Sequence, residues 1–168
     1  MFRKTGLLVT ILMTLFLAAC AGTKDKVEES SSAAATDDSN AWGTGYSKDY
    51  LASLGITKNP LEYTTVYFEY DSSQIDERSR IIITAHAKAL NNRAGVNVVL
   101  EGHTDERGTR EYNLALGERR AASVQSLMKT VGAGNNALSL VTYGEERPVA
   151  LTQDEQSWQA NRRVQILY

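Results

Sequence analysis

From residue 64 to the end of the chain, hydrophobic positions switch repeatedly between the two-residue period of a strand and the 3.6-residue period of a helix. This alternation is the feature that most constrains the fold. Thr64-Thr65-Val66-Tyr67-Phe68-Glu69-Tyr70-Asp71 is β-branched and aromatic, with Val66, Phe68 and Tyr70 on one face, and reads as a strand. Asp76 opens a helix running to about residue 92, with Ile82, Ala85, Ala89 and Leu90 close to one face. Residues 96–100 form a second strand ended by Gly102. A second helix, 113–131, is marked by Leu114, Ala121, Val124, Leu127, Met128 and Val131 and stopped by Gly132 and Gly134. A third strand at 138–143 stops at Gly144, residues 154–160 are helical, and 164–168 is the last strand. The order βαβαβαβ specifies an α/β domain with helices packed on a sheet.

Composition narrows the functional classes. The 168 residues are 42% hydrophobic and 23% charged, ordinary for one globular domain, and 18 Lys and Arg stand against 20 Asp and Glu. A net charge of −2 gives no general attraction to nucleic acid, so no nucleic-acid partner is expected. The single cysteine rules out an internal disulfide and a cysteine-built metal cluster.

That cysteine closes a leader-like segment. Arg3 and Lys4 precede an apolar run from Leu7 to Leu17, and Ala18-Ala19 lead directly to Cys20. As a helix, Gly6 to Ala19 would span ~21 Å, short of a ~30 Å hydrocarbon core. Leu17-Ala18-Ala19-Cys20 resembles the lipobox of bacterial lipoproteins. The resemblance implies alkylation of the Cys20 thiol by diacylglycerol, cleavage before it and acylation of the new amine, so that residues 1–19 are a signal peptide. Several acyl chains on one residue meet the requirement for stable anchoring without a spanning helix. Ala21 in place of Asp implies delivery to the outer membrane under the sorting rule of enteric bacteria. The alternatives are a secretory leader with a chance cysteine, or an uncleaved anchor.

Residues 20–63 read as a flexible acidic linker. The stretch from Glu28 to Ser39 is poor in apolar residues and aperiodic, and residues 21–63 carry four lysines against seven acids. As a coil these 43 residues would span ~35 Å root-mean-square and ~150 Å when taut. Within them Trp42, Tyr46, Tyr50, Leu51, Leu54 and Ile56 form an apolar cluster. It is a short partner-binding segment, a flap that docks back onto the domain, or merely a sticky part of the linker.

The densest polar island is Gly102-His103-Thr104-Asp105-Glu106-Arg107-Gly108-Thr109-Arg110-Glu111-Tyr112-Asn113, just past a strand's C-terminal end, where α/β sheets hold ligands. On the following helix Asn113, Gly117 and Arg120 share one face. That face admits two readings. In the first, Asn113 is an N-cap, Gly117 a tight-packing position and Arg120 the partner of a local carboxylate such as Asp105. In the second it floors a cleft for a zwitterionic amino-acid group, Asp105 taking the ammonium and Arg120 the carboxylate. His103 beside Asp105 raises a metal-dependent hydrolase, but His86 is the only other histidine and no nucleophile elbow or His-Glu-x-x-His is present. No enzyme activity, metal or cofactor is expected.

Val66-Tyr67-Phe68-Glu69-Tyr70-Asp71, Gly102-His103-Thr104-Asp105-Glu106-Arg107-Gly108, Tyr112-Asn113, Leu116-Gly117-Glu118-Arg119-Arg120-Ala121, Val141-Thr142-Tyr143-Gly144 and Asn161-Arg162-Arg163-Val164 closely resemble, in order, the motifs of the OmpA-like peptidoglycan-binding domain. With the lipobox and acidic linker, the chain resembles lipid-anchored members of that family. The resemblance implies a domain at 64–168 with a mixed sheet that binds the diaminopimelate of uncrosslinked peptidoglycan stems without catalysis. Asp105 is then expected at the amine, Arg120 at the carboxylate and Asn113 hydrogen-bonding nearby. Phe68 and Asp71 shape the wall of the site, and Arg162 and Arg163 orient it or balance its acids. The resemblance further implies TolB and other Tol components as partners, an outer-membrane anchor with the domain in the periplasm, and a part in envelope integrity and in outer-membrane constriction at division. The competing expectation is a lipoprotein of this type that anchors a different envelope complex.

Overall fold

The structure, a computed structural model, describes residues 38–93, 95–134 and 138–168. The expected signal peptide, Cys20 and the linker up to residue 37 lie outside the described residues. In chain order the elements are α1 (Lys48–Ser53), β1 (Thr65–Tyr67), α2 (Glu77–Asn91), β2 (Val98–His103), α3 (Arg110–Val131), β3 (Leu138–Gly144), α4 (Glu155–Asn161) and β4 (Arg163–Leu167). A kinked segment, Asp38–Gly43, precedes α1, and a 3-10 turn, Pro60–Glu62, follows it.

Short polar side chains set the helix starts. Asp76 accepts from the Ser79 N–H at 2.7 Å, Asp154 from the Ser157 N–H at 2.7 Å, and Thr109 from the Tyr112 N–H at 3.2 Å. Because Thr109 is the cap, α3 begins earlier than expected and Asn113 lies inside its first turn, buried. At the other end Gly132 adopts φ 109, a left-handed stop.

The sheet is mixed, in the order β1-β4-β2-β3, with β4 antiparallel to both neighbours and β2 parallel to β3. The expected α/β architecture is thus present. Helix α3 packs on β2 and β3, and α2 packs on α3 and β1. Between them Val66, Phe68, Ile82, Ile83, Leu90, Val98, Leu100, Val124, Met128, Val164 and Ile166 form one core. On α2 the buried face runs through Ser79, Ile82, Ile83, His86 and Leu90, whereas Ala85 and Ala89 are only half-buried. His86 fits in the core because its ring contacts the Tyr63 carbonyl at 3.0 Å and the Tyr168 hydroxyl at 2.6 Å.

Three expectations need correction. The first strand ends at Tyr67: Phe68 still donates to the Arg162 carbonyl at 2.9 Å, but the chain then bends and leaves Tyr70 exposed. The bend wraps the Glu69 and Ser72 carbonyls around the Arg120 guanidinium. The second strand runs on through Gly102 to His103, since its parallel ladder with β3 continues past the glycine. Gly102 is there for packing: a Cβ on it would stand 2.0 Å from the Gly117 carbonyl oxygen of α3. Finally, residues 38–63 are not linker. Ala41, Leu51, Ile56 and Pro60 are buried, the first three within the core cluster, whereas Trp42, Tyr46 and Tyr50 of the expected apolar cluster stay exposed. Ser47 caps α1, and both the Leu54 and Ile56 N–H groups return to the Leu51 carbonyl.

Candidate ionic binding site

The loop after β2 and the face of α3 above it converge on a cavity of about 150 Å³. Asp71, Asp105, Arg107, Arg120, Tyr70 and Tyr112 contribute to its walls. The close approach of Gly117 to Gly102 seats α3 here, so Gly117 admits backbone rather than a ligand.

Arg120 is fully buried. Its Nε donates to Ser72 O at 2.8 Å, Nη1 to His103 O at 2.9 Å and Nη2 to Glu69 O at 3.1 Å. Beneath it lies the Phe68 ring, with a centroid 5.4 Å from the guanidinium carbon. Burial pulls the guanidinium down to about 10 against the attraction of Asp105 and Asp71, which leaves it charged at neutral pH. Three of its five N–H groups are committed, and two remain on a residue that lines the cavity.

Asp105 is 4% exposed and held by two arginines. One carboxylate oxygen accepts the Arg107 backbone N–H at 3.1 Å; the other accepts Arg107 Nη2 at 2.7 Å and Arg162 Nη1 at 3.3 Å. Burial alone would raise its pKa, but the Arg107 and Arg162 hydrogen bonds outweigh burial and hold it below the ordinary range. Arg107 is itself clamped between the rings of Tyr70 and Trp158, at 4.1 and 4.2 Å. Asp71, in the left-handed region with φ 51, a conformation Asp tolerates, accepts from the Tyr112 hydroxyl.

The expected residues therefore fall into three groups. Asp71, Asp105 and Arg120 line the cavity together. Arg162 and Phe68 stand behind it: Arg162 bonds Asp105, Glu155 at 2.7 Å and the Phe68 carbonyl at 3.1 Å. Asn113 and Arg163 do not line it. Asn113 ties the start of α3 to Glu145 in the loop after β3, and Arg163 donates to the Asn161 and Arg147 carbonyls. Arg163 faces away because it is the first residue of β4, paired with Tyr67 of β1. The sequence reading gave no role to Arg107, Tyr70, Tyr112 or Trp158. An Asp-x-Arg step, in which a carboxylate accepts the backbone N–H two residues on, is the signal that marks Arg107.

His103 does not join Asp105. Its ring stacks on Tyr143, 5.6 Å between centroids, and its Nε2 lies 3.8 Å from Glu101. Both ring nitrogens lack a hydrogen-bond partner, and burial pulls its pKa to about 4, helped by Arg163 and Arg147. Among the described residues no group of three or more His, Cys, Asp or Glu is placed to hold a metal.

This sheet, with an ionic cavity past the end of β2, is an OmpA-type arrangement, and the sequence profile of the OmpA family matches residues 67–162. The chain belongs to the OmpA family. Its relatives include a peptidoglycan-associated lipoprotein from Pseudomonas aeruginosa, 57% identical over 103 residues; that match spans 61% of this chain and 61% of the relative's length. Another, from Pseudomonas putida, is 46% identical over 161 residues, 92% of each chain. The crystal structure of the peptidoglycan-associated lipoprotein from Burkholderia pseudomallei aligns with a TM-score of 0.64 at 39% identity, covering 68% of this chain and 98% of that one. These relatives are lipoproteins by name, which gives the hydrolase alternative no support.

Proposed function

We propose that the chain is an outer-membrane lipoprotein that binds peptidoglycan non-covalently, through the diaminopimelate of uncrosslinked stems. The observation that carries this reading is the cavity itself. Two carboxylates, Asp71 and Asp105, and a buried guanidinium with two free N–H groups line one small space, matching the ammonium and carboxylate of an amino-acid head. Asp71 and Asp105 take the ammonium and Arg120 the carboxylate. Arg162 holds Asp105 in place, Phe68 supports Arg120 from beneath, and Asn113 and Arg163 act at a distance by fixing the loops.

In this proposal residues 1–19 are removed, Cys20 carries the lipid and the residues up to 37 form the tether. The folded domain includes Ala41, Leu51 and Ile56, ahead of residue 64. Single stem contacts are weak, and a lipid-held population facing a repeating polymer gains by multivalency. TolB and other Tol components are the proposed protein partners, with roles in envelope integrity and in constriction at division.

Co-sedimentation of the full chain with purified peptidoglycan tests the site. Wild type should pellet with the wall and be released by free diaminopimelate, while Arg120→Lys, which keeps the charge but loses the planar fork, should bind at least about tenfold more weakly. Equal binding by the variant, or no competition by diaminopimelate, overturns the site. Pull-down with TolB separates this reading from a lipoprotein that anchors another complex.

A further inference from the structure

A second cavity, of about 250 Å³, adjoins the first, and Thr104 lines both. Glu106, Glu145, Pro148, Leu151 and Trp158 also contribute to its walls. Glu106 accepts from the Trp158 indole N–H at 3.3 Å and Glu145 from the Asn113 amide. Among the described residues neither carboxylate is in an ion pair: Arg107 is paired with Asp105 and Glu155, Arg110 with Glu146, Arg162 with Asp105 and Glu155, and Arg147 lies over the Tyr143 ring at 3.7 Å.

Three further observations point to a ligand. Thr104 is 3% exposed, and its hydroxyl has no hydrogen-bond partner. Leu151 is 84% exposed and Val149 58%, two aliphatic side chains on the same loop as the cavity wall. That loop is pinned: Asn161 accepts from the Val149 and Ala150 N–H groups at 2.8 and 3.2 Å and donates to the Ala150 carbonyl at 2.8 Å. A rigid apolar rim around an acidic hollow is built like a protein-docking hot spot.

We propose that this cavity is a socket for a protein partner that presents a lysine side chain beside an apolar one. The alkyl stem lies along Trp158 and Pro148. The ammonium, with three donors, meets three acceptors in Glu106, Glu145 and the Thr104 hydroxyl. The partner's apolar side chain covers Val149 and Leu151. A protein surface supplies both the cation and the apolar neighbour, whereas the ionic and hydroxylated groups of a wall polymer leave the aliphatic rim uncovered.

The chain has two tryptophans, so Trp42→Phe leaves Trp158 as the sole indole reporter. The probe is N-acetyl-lysinamide, titrated into the full chain carrying that substitution, with uncharged N-acetyl-norleucinamide as control. The lysine probe should shift Trp158 emission and saturate in the millimolar range, and the control should not. Adding Glu106→Gln should weaken the response about tenfold or more while co-sedimentation with peptidoglycan is unchanged. Equal responses to the two probes, a response that survives Glu106→Gln, or no saturable response overturns the proposal. Loss of wall binding in that variant also overturns it, by assigning the socket to the wall.

Discussion

Gly102 of β2 and Gly117 of α3 meet backbone to backbone, with no room for a side chain on either. A Cβ on Gly102 would stand 2.0 Å from the Gly117 carbonyl oxygen, which cannot move without shifting α3. A Cβ on Gly117 would meet first the Thr142 hydroxyl at 2.5 Å, which can rotate, and then the Gly102 carbonyl oxygen at 3.1 Å. Gly102→Ala should therefore destabilise the domain by about 3 kcal/mol or more and Gly117→Ala by about 1–2 kcal/mol. Urea denaturation measures both; the reverse order would show that the contact is softer than its geometry.

Leu51 is fully buried although the sequence places it in a stretch that reads as linker. Leu51→Ala should cost about 2–5 kcal/mol, and Tyr46→Ala, at an exposed position, under about 1 kcal/mol. A single cooperative unfolding transition, shifted by the first substitution, is the expected result. If Leu51→Ala leaves the transition in place, residues 38–63 do not fold with the domain.

His103 makes stability depend on pH. Its folded value of about 4 lies below the ordinary 6.5, so the unfolded chain takes up the proton first as pH falls. The stability held by the neutral ring is complete above pH 6.5 and is lost between about 6.5 and 4, by about 3 kcal/mol at most. His86, also lowered by burial, adds in the same direction. His103→Leu should flatten most of this slope in urea melts at pH 7 and pH 4.5. At pH 7 it should stay within about 1 kcal/mol of wild type, since neither ring nitrogen has a partner to lose.

Asp105 titrates low against the effect of its burial chiefly because of Arg107. With a depressed folded pKa, its contribution to stability is present above the ordinary carboxylate value and is lost as pH falls through the folded one. Arg107→Ala should move the Asp105 carboxyl upward, read by carbon NMR titration, so that the loss begins at a higher pH. An unmoved carboxyl would mean that Arg162 alone sets it.

The helices were legible where a cap and a periodic face coincide, as at Asp76 and Asp154. Between residues 108 and 113 two cap-forming residues compete, and Thr109 rather than Asn113 begins α3. The alternation through Tyr70 outruns the strand because that ring is satisfied by stacking on Arg107 instead of entering the core. Leu51 and Ile56 were visible as part of an apolar cluster, but their spacing does not tell whether such a cluster docks on its own domain or on a partner. The site's residue types were readable because they crowd into 102–120. Their partners were not: Arg162 lies 57 residues from Asp105, and two of the three carbonyls that hold Arg120 belong to the bend after β1.

The docked flap also decides where a pull along the chain is felt. Tension arriving from the N-terminal side of residue 38 loads Ala41, Leu51 and Ile56 before it reaches β1, which is laddered antiparallel to β4. Release of residues 38–63 ahead of the sheet would free about 26 residues, ~85 Å of extended chain, without breaking a strand of the sheet.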